Sequence, residues 1–315
     1  MSTATVKRSG RRRRLQRIRE NWILYLFLLP TFAWFVIFHY WPIYGIQIAF
    51  QNYKIGQAFG SSQWVGLKYF RQFFSSYWFP TVMRNTVTIS LLGFALSFPL
   101  PIVLALLLNE VSHEGYKKTV QTITYAPHFI STVVLCGALQ LFLSPTSGLI
   151  GRGVNAIREG MGLADVNILM DGPAFKWVYV LSGVWQGTGW ASVIYFAALS
   201  AVDVSHLEAA EIDGANKLQR MWYITLPSIV PTITILLILQ IGNIMNVGYE
   251  KTLLLYNDSI MEVSDIIATF VYRKGLLESN YSYSAAVGLF NSVINSILLV
   301  ATNAISRKVT ENSLW

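Results

Sequence analysis

Three carboxylates, Glu208, Glu211 and Asp213, stand together in the stretch "HLEAAEIDGANKLQRMWYITLP". On a short helix they would offer negative charge to a basic partner, which is binding chemistry and not catalysis. Reaction chemistry finds little else to use. The chain has no H-E-x-x-H, no G-x-S-x-G and no paired acids within an apolar run. It also lacks G-x-x-x-x-G-K-[ST], so ATP hydrolysis by a P-loop is not expected of this chain. Cys136 is the one cysteine, which excludes an internal disulfide, and with four histidines it forms no metal-ligand pattern. No catalytic residue and no metal site are expected. His39 and His128, near or within apolar runs, read as packing residues, and His113 and His206 as loop residues.

The elements around those acids are strongly apolar. Of 315 residues 53% are hydrophobic and only 13% charged, and mean hydropathy is +0.45. Soluble domains carry about a quarter charged residues. Six runs approach the ~20-residue length that spans a bilayer: about 22–50, 86–108, 119–143, 177–201, 226–247 and 284–305. None of these cores contains Asp, Glu, Lys or Arg. Pro99, Pro101, Pro127 and Pro231 fall within them and predict bends, each removing a helix hydrogen bond. The fold class is therefore an all-α integral membrane protein with six transmembrane helices.

Charge sets the orientation. Net charge is +8, and "KRSGRRRRLQRIRE" carries eight basic residues and one acid directly before the first run. This predicts a cytoplasmic basic tail over 1–21, with contacts to lipid headgroups and not to nucleic acid. Six crossings then place 109–118, 202–225 and the C-terminal tail, 307–315, on the inside, leaving a transmembrane domain over 22–306. The inner segments hold 14 of the 24 Lys and Arg residues. The acids that open this section therefore face the cytoplasm. The first run is too long for a cleaved signal peptide, and no A-x-A-like site follows it.

Local rules shape the inner loop. "SHLE" has capping-box spacing, so Ser205 is expected to cap a short helix and Glu208 to reach back. Asp213 and Gly214 should end that helix, with glycine in the left-handed region. A second helix starts near Ala215 and runs to "ITLP", where Pro227 opens the next span. Ala209, Ala210 and Ala215 are small enough to let another surface approach. Physics alone gives a capped helical hairpin that joins two spans.

The same residues resemble the signature of permease subunits of ABC importers: EAA, three residues, G, nine residues, I, one residue, LP. Glu208, Ala209, Ala210, Gly214, Ile224, Leu226 and Pro227 match with full spacing over twenty residues. "FHYWPIYGIQIAFQNY", "WVGLKYF" and "LALLLNEV" are similar to the oligosaccharide and polysaccharide branch, related to maltose-type permeases. The resemblance covers most of the chain. It implies that Glu208, Ala209, Ala210, Glu211, Asp213 and Gly214 form a coupling helix docking on a separate ATPase. It implies an assembly in a bacterial cytoplasmic membrane with a second permease, two ATP-binding subunits and an extracytoplasmic solute-binding protein. ATP and Mg would be bound by the ATPase subunits, and this chain would carry no cofactor.

The resemblance further implies alternating access, with a sugar site midway through the membrane built by the fourth and fifth spans. Aromatic faces and amides would read the sugar there. Trp185, Gln186, Gly187 and Trp190 in "GVWQGTGW", and Asn243, Asn246 and Tyr249 in "NIMNVGYEK", are the candidate substrate path. On a helix, Asn243 and Asn246 would share a face. For the tryptophans, helix packing or an interfacial belt is the competing reading; for the asparagines it is interhelical hydrogen bonding. The resembled branch includes carriers of acidic oligosaccharides such as alginate fragments, which would suit the outer-loop cations Arg152, Arg158 and Lys251. An ion-coupled secondary transporter is disfavoured because the spans hold no ionisable acid or base. A membrane scaffold or sensor is disfavoured by the complete motif spacing.

Overall fold

The computed structural model describes residues 20–57 and 61–315. The basic tail over 1–19 lies outside the described residues. Among those described, secondary structure is helical, with one isolated bridge between Gln51 and Trp64. The chain divides into two units, Met1–Lys68 and Tyr69–Trp315.

In the first unit, α1 (Trp22–Phe35) continues through a π-helical turn, Val36–Tyr40, and a 3-10 segment, Trp41–Phe50. Almost every side chain of this rod is exposed, although the rod is apolar on all sides. Such a helix needs lipid or protein around it. His39 packs against Trp34 at 4.8 Å and Phe35 at 5.1 Å, as expected of a packing residue. Beyond the rod, the Asn52 N–H donates to the Gln63 carbonyl at 2.8 Å and Phe50 stacks on Trp64.

The second unit holds α2 (Lys68–Phe74), α3 (Trp78–Ser97), α4 (Pro99–Asn109), α5 (Glu114–Tyr125), α6 (Thr132–Leu143), α7 (Leu149–Gly160) and α8 (Gly172–Leu199). There follow α9 (Val204–Ile212), α10 (Lys217–Arg220), α11 (Leu226–Ser228), α12 (Val230–Ile241), α13 (Tyr249–Leu255), α14 (Met261–Ser264), α15 (Ile267–Tyr272) and α16 (Tyr281–Val309). By length and composition, Trp22–Phe50, Trp78–Asn109 and Tyr281–Val309 can each cross a membrane. Three further helix pairs pass the same test together, bent by 97° between α5 and α6, 77° between α8 and α9, and 61° between α11 and α12.

The bend expected at Pro127 is present, and the helical extent expected of the fifth run needs correction. The third run is an elbow, because the 3-10 turn Ala126–Phe129, with Pro127 buried, ends α5 before Ser131 caps α6. The fifth run stops being helical at Ile241, and 242–248 is turn and coil. The second run fares better: α3 and α4 are interrupted only at Phe98, and the Phe98 N–H still reaches the Phe94 carbonyl at 3.0 Å. It begins earlier than expected, at Trp78, since Arg84 and Asn85 lie within its first turns.

The long helix α8 organises the packing. Its N-terminal half joins Phe175 and Val180 to Ile89, Cys136, Leu255, Ile260 and Ile266; its C-terminal half joins Tyr195 and Leu199 to Ala105, Leu106 and Ile229. In lipid the hydrophobic effect between helices is weak, so close fit and hydrogen bonds must hold them. Gly189 shows the fit: a Cβ there would lie 2.0 Å from the Thr124 carbonyl, so α5 crosses α8 in near backbone contact.

Polar groups fasten the outer end. Fully buried Asn85 donates to the carbonyls of Glu262 at 2.9 Å and Asp265 at 3.0 Å. The Asp265 carboxylate, also fully buried, pairs with Arg273 at 2.6 Å and accepts from Thr269 at 2.7 Å. An unpaired buried carboxylate would be costly, and this one is neutralised and saturated.

Candidate functional site

The inner loop is built as a turn between two capped helices. Asp203, not Ser205, caps α9: its Oδ1 accepts the Ser205 N–H at 2.9 Å. Those bonds hold the exposed Asp203 carboxyl below the usual carboxylate range. The expected capping box at Ser205 and Glu208 is thereby corrected, because the helix begins earlier and Ser205 is already inside it. Glu208 is left exposed, with no hydrogen bond among the described residues. Gly214 has φ +80°, and the Ala215 N–H reaches the Ala210 carbonyl at 2.9 Å. Glycine takes that left-handed conformation without steric penalty, as expected at a helix C-terminus.

The second capping box sits on α10, where Asn216 and Gln219 bond reciprocally at 2.9 and 2.8 Å. Glu211 forms an ion pair with Arg220, tying α9 to α10. No residue of α9 is buried. Glu208, Ala209, Asp213 and Gly214 are exposed, Ala210 is half-buried, and Ile212 is 86% exposed at the tip. An exposed apolar tip flanked by carboxylates suits a protein partner.

Within the helices a cavity of about 500 Å³ lies between α3, α8 and α12. Asn243 and Asn246 line it, with Ser90, Tyr179, Tyr195 and Gln240. The lining contains no charged residue. Asn246 donates to Asn243, so the two amides meet, although in a turn and not on a helix face. Its Oδ1 accepts from Asn291 at 2.8 Å and Asn295 at 3.1 Å, and Asn295 in turn accepts the Met245 N–H at 3.1 Å. These bonds supply the partners that the broken helix needs. The Gln240 amide donates to Ser97 at 3.1 Å, and Ser90 Oγ is buried without a protein partner.

The α8 candidates are placed differently. Gln186 donates to the Ile130 carbonyl at 2.7 Å. Trp190 stacks on His128 at 4.8 Å and meets Phe129 edge-on at 5.7 Å. Both therefore brace the elbow between α5 and α6. Trp185 is 54% exposed, and Gly187 faces open space. None of the four lines the cavity. Tyr249 stacks on Tyr272 at 5.9 Å and lines a neighbouring groove that also contains Asn291. Sequence reasoning overlooked Ser90, Tyr179, Tyr195, Asn291 and Asn295. The last two had a visible signal, since amides four residues apart in an apolar span need partners.

Of the outer cations, Arg158 donates to the Ala164 carbonyl at 2.8 Å. Arg152 sits with Glu159 and Asp165 around a surface hollow. Lys251 is 9% exposed, donates to the Tyr179 carbonyl at 2.7 Å and lies 4.6 Å from the Tyr179 ring centre. Burial pulls this ammonium down to about 8.

Comparison with known proteins agrees with this architecture. The family described as "Binding-protein-dependent transport system inner membrane component" matches residues 2–311. The chain is 40% identical to Protein LplB of Bacillus subtilis (strain 168), over 94% of this chain and 92% of that protein. It is 40% identical to the polygalacturonan/rhamnogalacturonan transport system permease protein YteP of the same organism, over 98% and 95%. Among solved structures it is similar to a chain of a bacterial ABC transporter involved in import of the acidic polysaccharide alginate. The TM-score is 0.84 at 40% identity, covering 95% of this chain and 99% of that one. A second structure of a bacterial alginate transporter, in complex with an alginate pentasaccharide-bound periplasmic protein, matches with the same TM-score at 39% identity. A membrane-embedded helical unit, a capped and exposed EAA turn and a polar cavity thus coincide with full-length similarity, and the chain belongs to the family of binding-protein-dependent transport system inner membrane components, the permease subunits of ABC importers.

Proposed function

We propose that this chain is the permease of an ATP-driven importer of acidic oligosaccharides, moving its cargo by alternating access in a bacterial cytoplasmic membrane. Both termini lie in the cytoplasm, as does the loop over 202–225. The basic tail over 1–21 and the transmembrane domain over 22–306 follow from the same topology. A second permease completes the pathway, two ATPase subunits bind ATP and Mg, and an extracytoplasmic solute-binding protein delivers the cargo. The acidic cargo is supported by relatives whose names specify polygalacturonan and alginate.

The observation that carries the coupling role is the exposure of Glu208 and Ile212 on a helix whose end is locked by Gly214. Glu208, Ala209, Ala210, Glu211, Asp213 and Gly214 form the docking surface, with Glu211 fixing its shape through Arg220. The cargo passes the amides Asn243 and Asn246, where Ser90 Oγ is available to a sugar hydroxyl. Tyr249 borders that route, while Gln186 and Trp190 act on it by holding the elbow, beside Trp185 and Gly187.

Gly214→Val tests the coupling role. A β-branched residue is strained at φ +80°, costing roughly 1–3 kcal/mol locally. In proteoliposomes the complex should assemble and hydrolyse ATP while transport per ATP falls severalfold. Normal stoichiometry would remove the coupling assignment.

A further inference from the structure

The uncharged cavity has a charged rim. Lys176 precedes the cavity residue Tyr179 by three positions on α8, about one helical turn outward. Asn85 precedes the cavity residue Ile89 by four positions on α3, again one turn outward. The two rim residues meet: Lys176 Nζ donates to Asn85 Oδ1 at 3.3 Å. Asn85 is oriented for this, since its amide nitrogen is already used on the carbonyls of Glu262 and Asp265. Arg84 is exposed and stands next to Asn85 in the chain, so a second cation adjoins the residue that Lys176 bonds.

No carboxylate answers these charges. Among the described residues neither Arg84 nor Lys176 forms an ion pair, and neither has a hydrogen bond beyond that of Lys176 to Asn85. Of the two acids whose carbonyls Asn85 holds, Asp265 is neutralised by Arg273, and Glu262 is exposed and forms no ion pair among the described residues. Lys251 adds a third cation on the same face of α8, where Gly183 leaves room: a Cβ on Gly183 would lie 3.3 Å from Lys251 Nζ. Like charges that form no ion pairs repel one another, and an anion placed among them relieves that repulsion.

We propose that Arg84 and Lys176, backed by the buried charge of Lys251, form a carboxylate-binding rim at the outer end of the cavity, which receives the uronate groups of an entering acidic oligosaccharide. This rests on the acidic-cargo reading above. The division of labour is physical: cations on the rim attract and select charge, and amides and hydroxyls below accept the sugar. An uncharged lining lets the cargo leave, because a buried ion pair would hold it.

The test uses the assembled transporter in proteoliposomes with its own solute-binding protein. Uptake of a short oligouronide is compared with uptake of its methyl ester, which keeps length and linkage but removes charge. The readout is the acid-to-ester preference of each variant relative to wild type, so discrimination by the binding protein cancels. Arg84→Gln and Lys176→Gln should each lower the preference by up to roughly fivefold, and Lys176→Arg should restore it. In the wild type the preference should shrink with rising salt. A preference unchanged in both Gln variants overturns the rim, as does a Lys176→Arg variant that behaves like Lys176→Gln. Acid and ester uptake falling together without a change of ratio also overturns it, because that marks a structural or docking role. Wild-type complexes that transport neither compound would instead defeat the cargo reading on which the rim depends.

Discussion

Lys251→Met is the substitution whose outcome the structure constrains most tightly. Lys251 is 9% exposed, with one hydrogen bond to the Tyr179 carbonyl and the ring of Tyr179 beneath its ammonium. Its proton is lost at about 8 in the folded protein, against an ordinary value of 10.5. The difference corresponds to about 3 kcal/mol against the charged form at neutral pH. The sign follows from proton counting. Between about 8 and 10.5 the unfolded chain keeps a proton that the folded chain has released. Stability therefore rises with pH across that window, by up to about 1.4 kcal/mol per pH unit. Methionine has similar length and no charge, so the variant should be more stable at pH 7 and should lack this slope. Thermal unfolding of the detergent-solubilised complex at several pH values measures both. A wild type with no rise relative to the variant, or a variant that melts lower at pH 7, would refute the reasoning. The variant should also lose part of its preference for acidic cargo, so that stability and selectivity move in opposite directions.

Two other substitutions probe the packing and the cavity. Gly189→Ala places a methyl group 2.0 Å from the Thr124 carbonyl; separating α5 from α8 should cost about 1–3 kcal/mol and lower the melting temperature and membrane yield. Asn246→Leu removes the acceptor shared by Asn291 and Asn295. Transport should fall more than the melting temperature accounts for, and the reverse pattern would make this amide cluster purely structural.

The sequence reading and the structure agree where a rule is local or where composition decides. The turn of the 202–225 loop was legible because Gly214 has a single good explanation. The long spans were legible because their central runs hold no charged residue. The bend at Pro127 was legible because proline removes a helix hydrogen bond, but its size was not, since an apolar run has the same composition at any angle up to the observed 97°. The capping box was misplaced because Asp203 and Ser205 are both good caps, and only the helix start distinguishes them. The cavity lining was half legible. The amides Asn243 and Asn246 stand out in an apolar segment, and the structure places both at the cavity. Trp190 and Gln186 stand out equally, but α8 is apolar around its circumference, so periodicity gives no sign of which side faces the cavity.

The continuity of α8 gives the molecule a lever. At 1.5 Å per residue its 28 residues extend about 42 Å. Its first turns carry Lys176 and Tyr179, its last turns carry Tyr195, and its C-terminal end leads through a short turn into α9. A tilt of about 5° at one end swings the other by about 4 Å over that length. The neighbouring segments are jointed, bent by 97° between α5 and α6 and by 61° between α11 and α12. Force applied at the α9 loop can therefore pass along one stiff arm while the jointed segments give way around it, and the mouth of the cavity can change width without any helix melting.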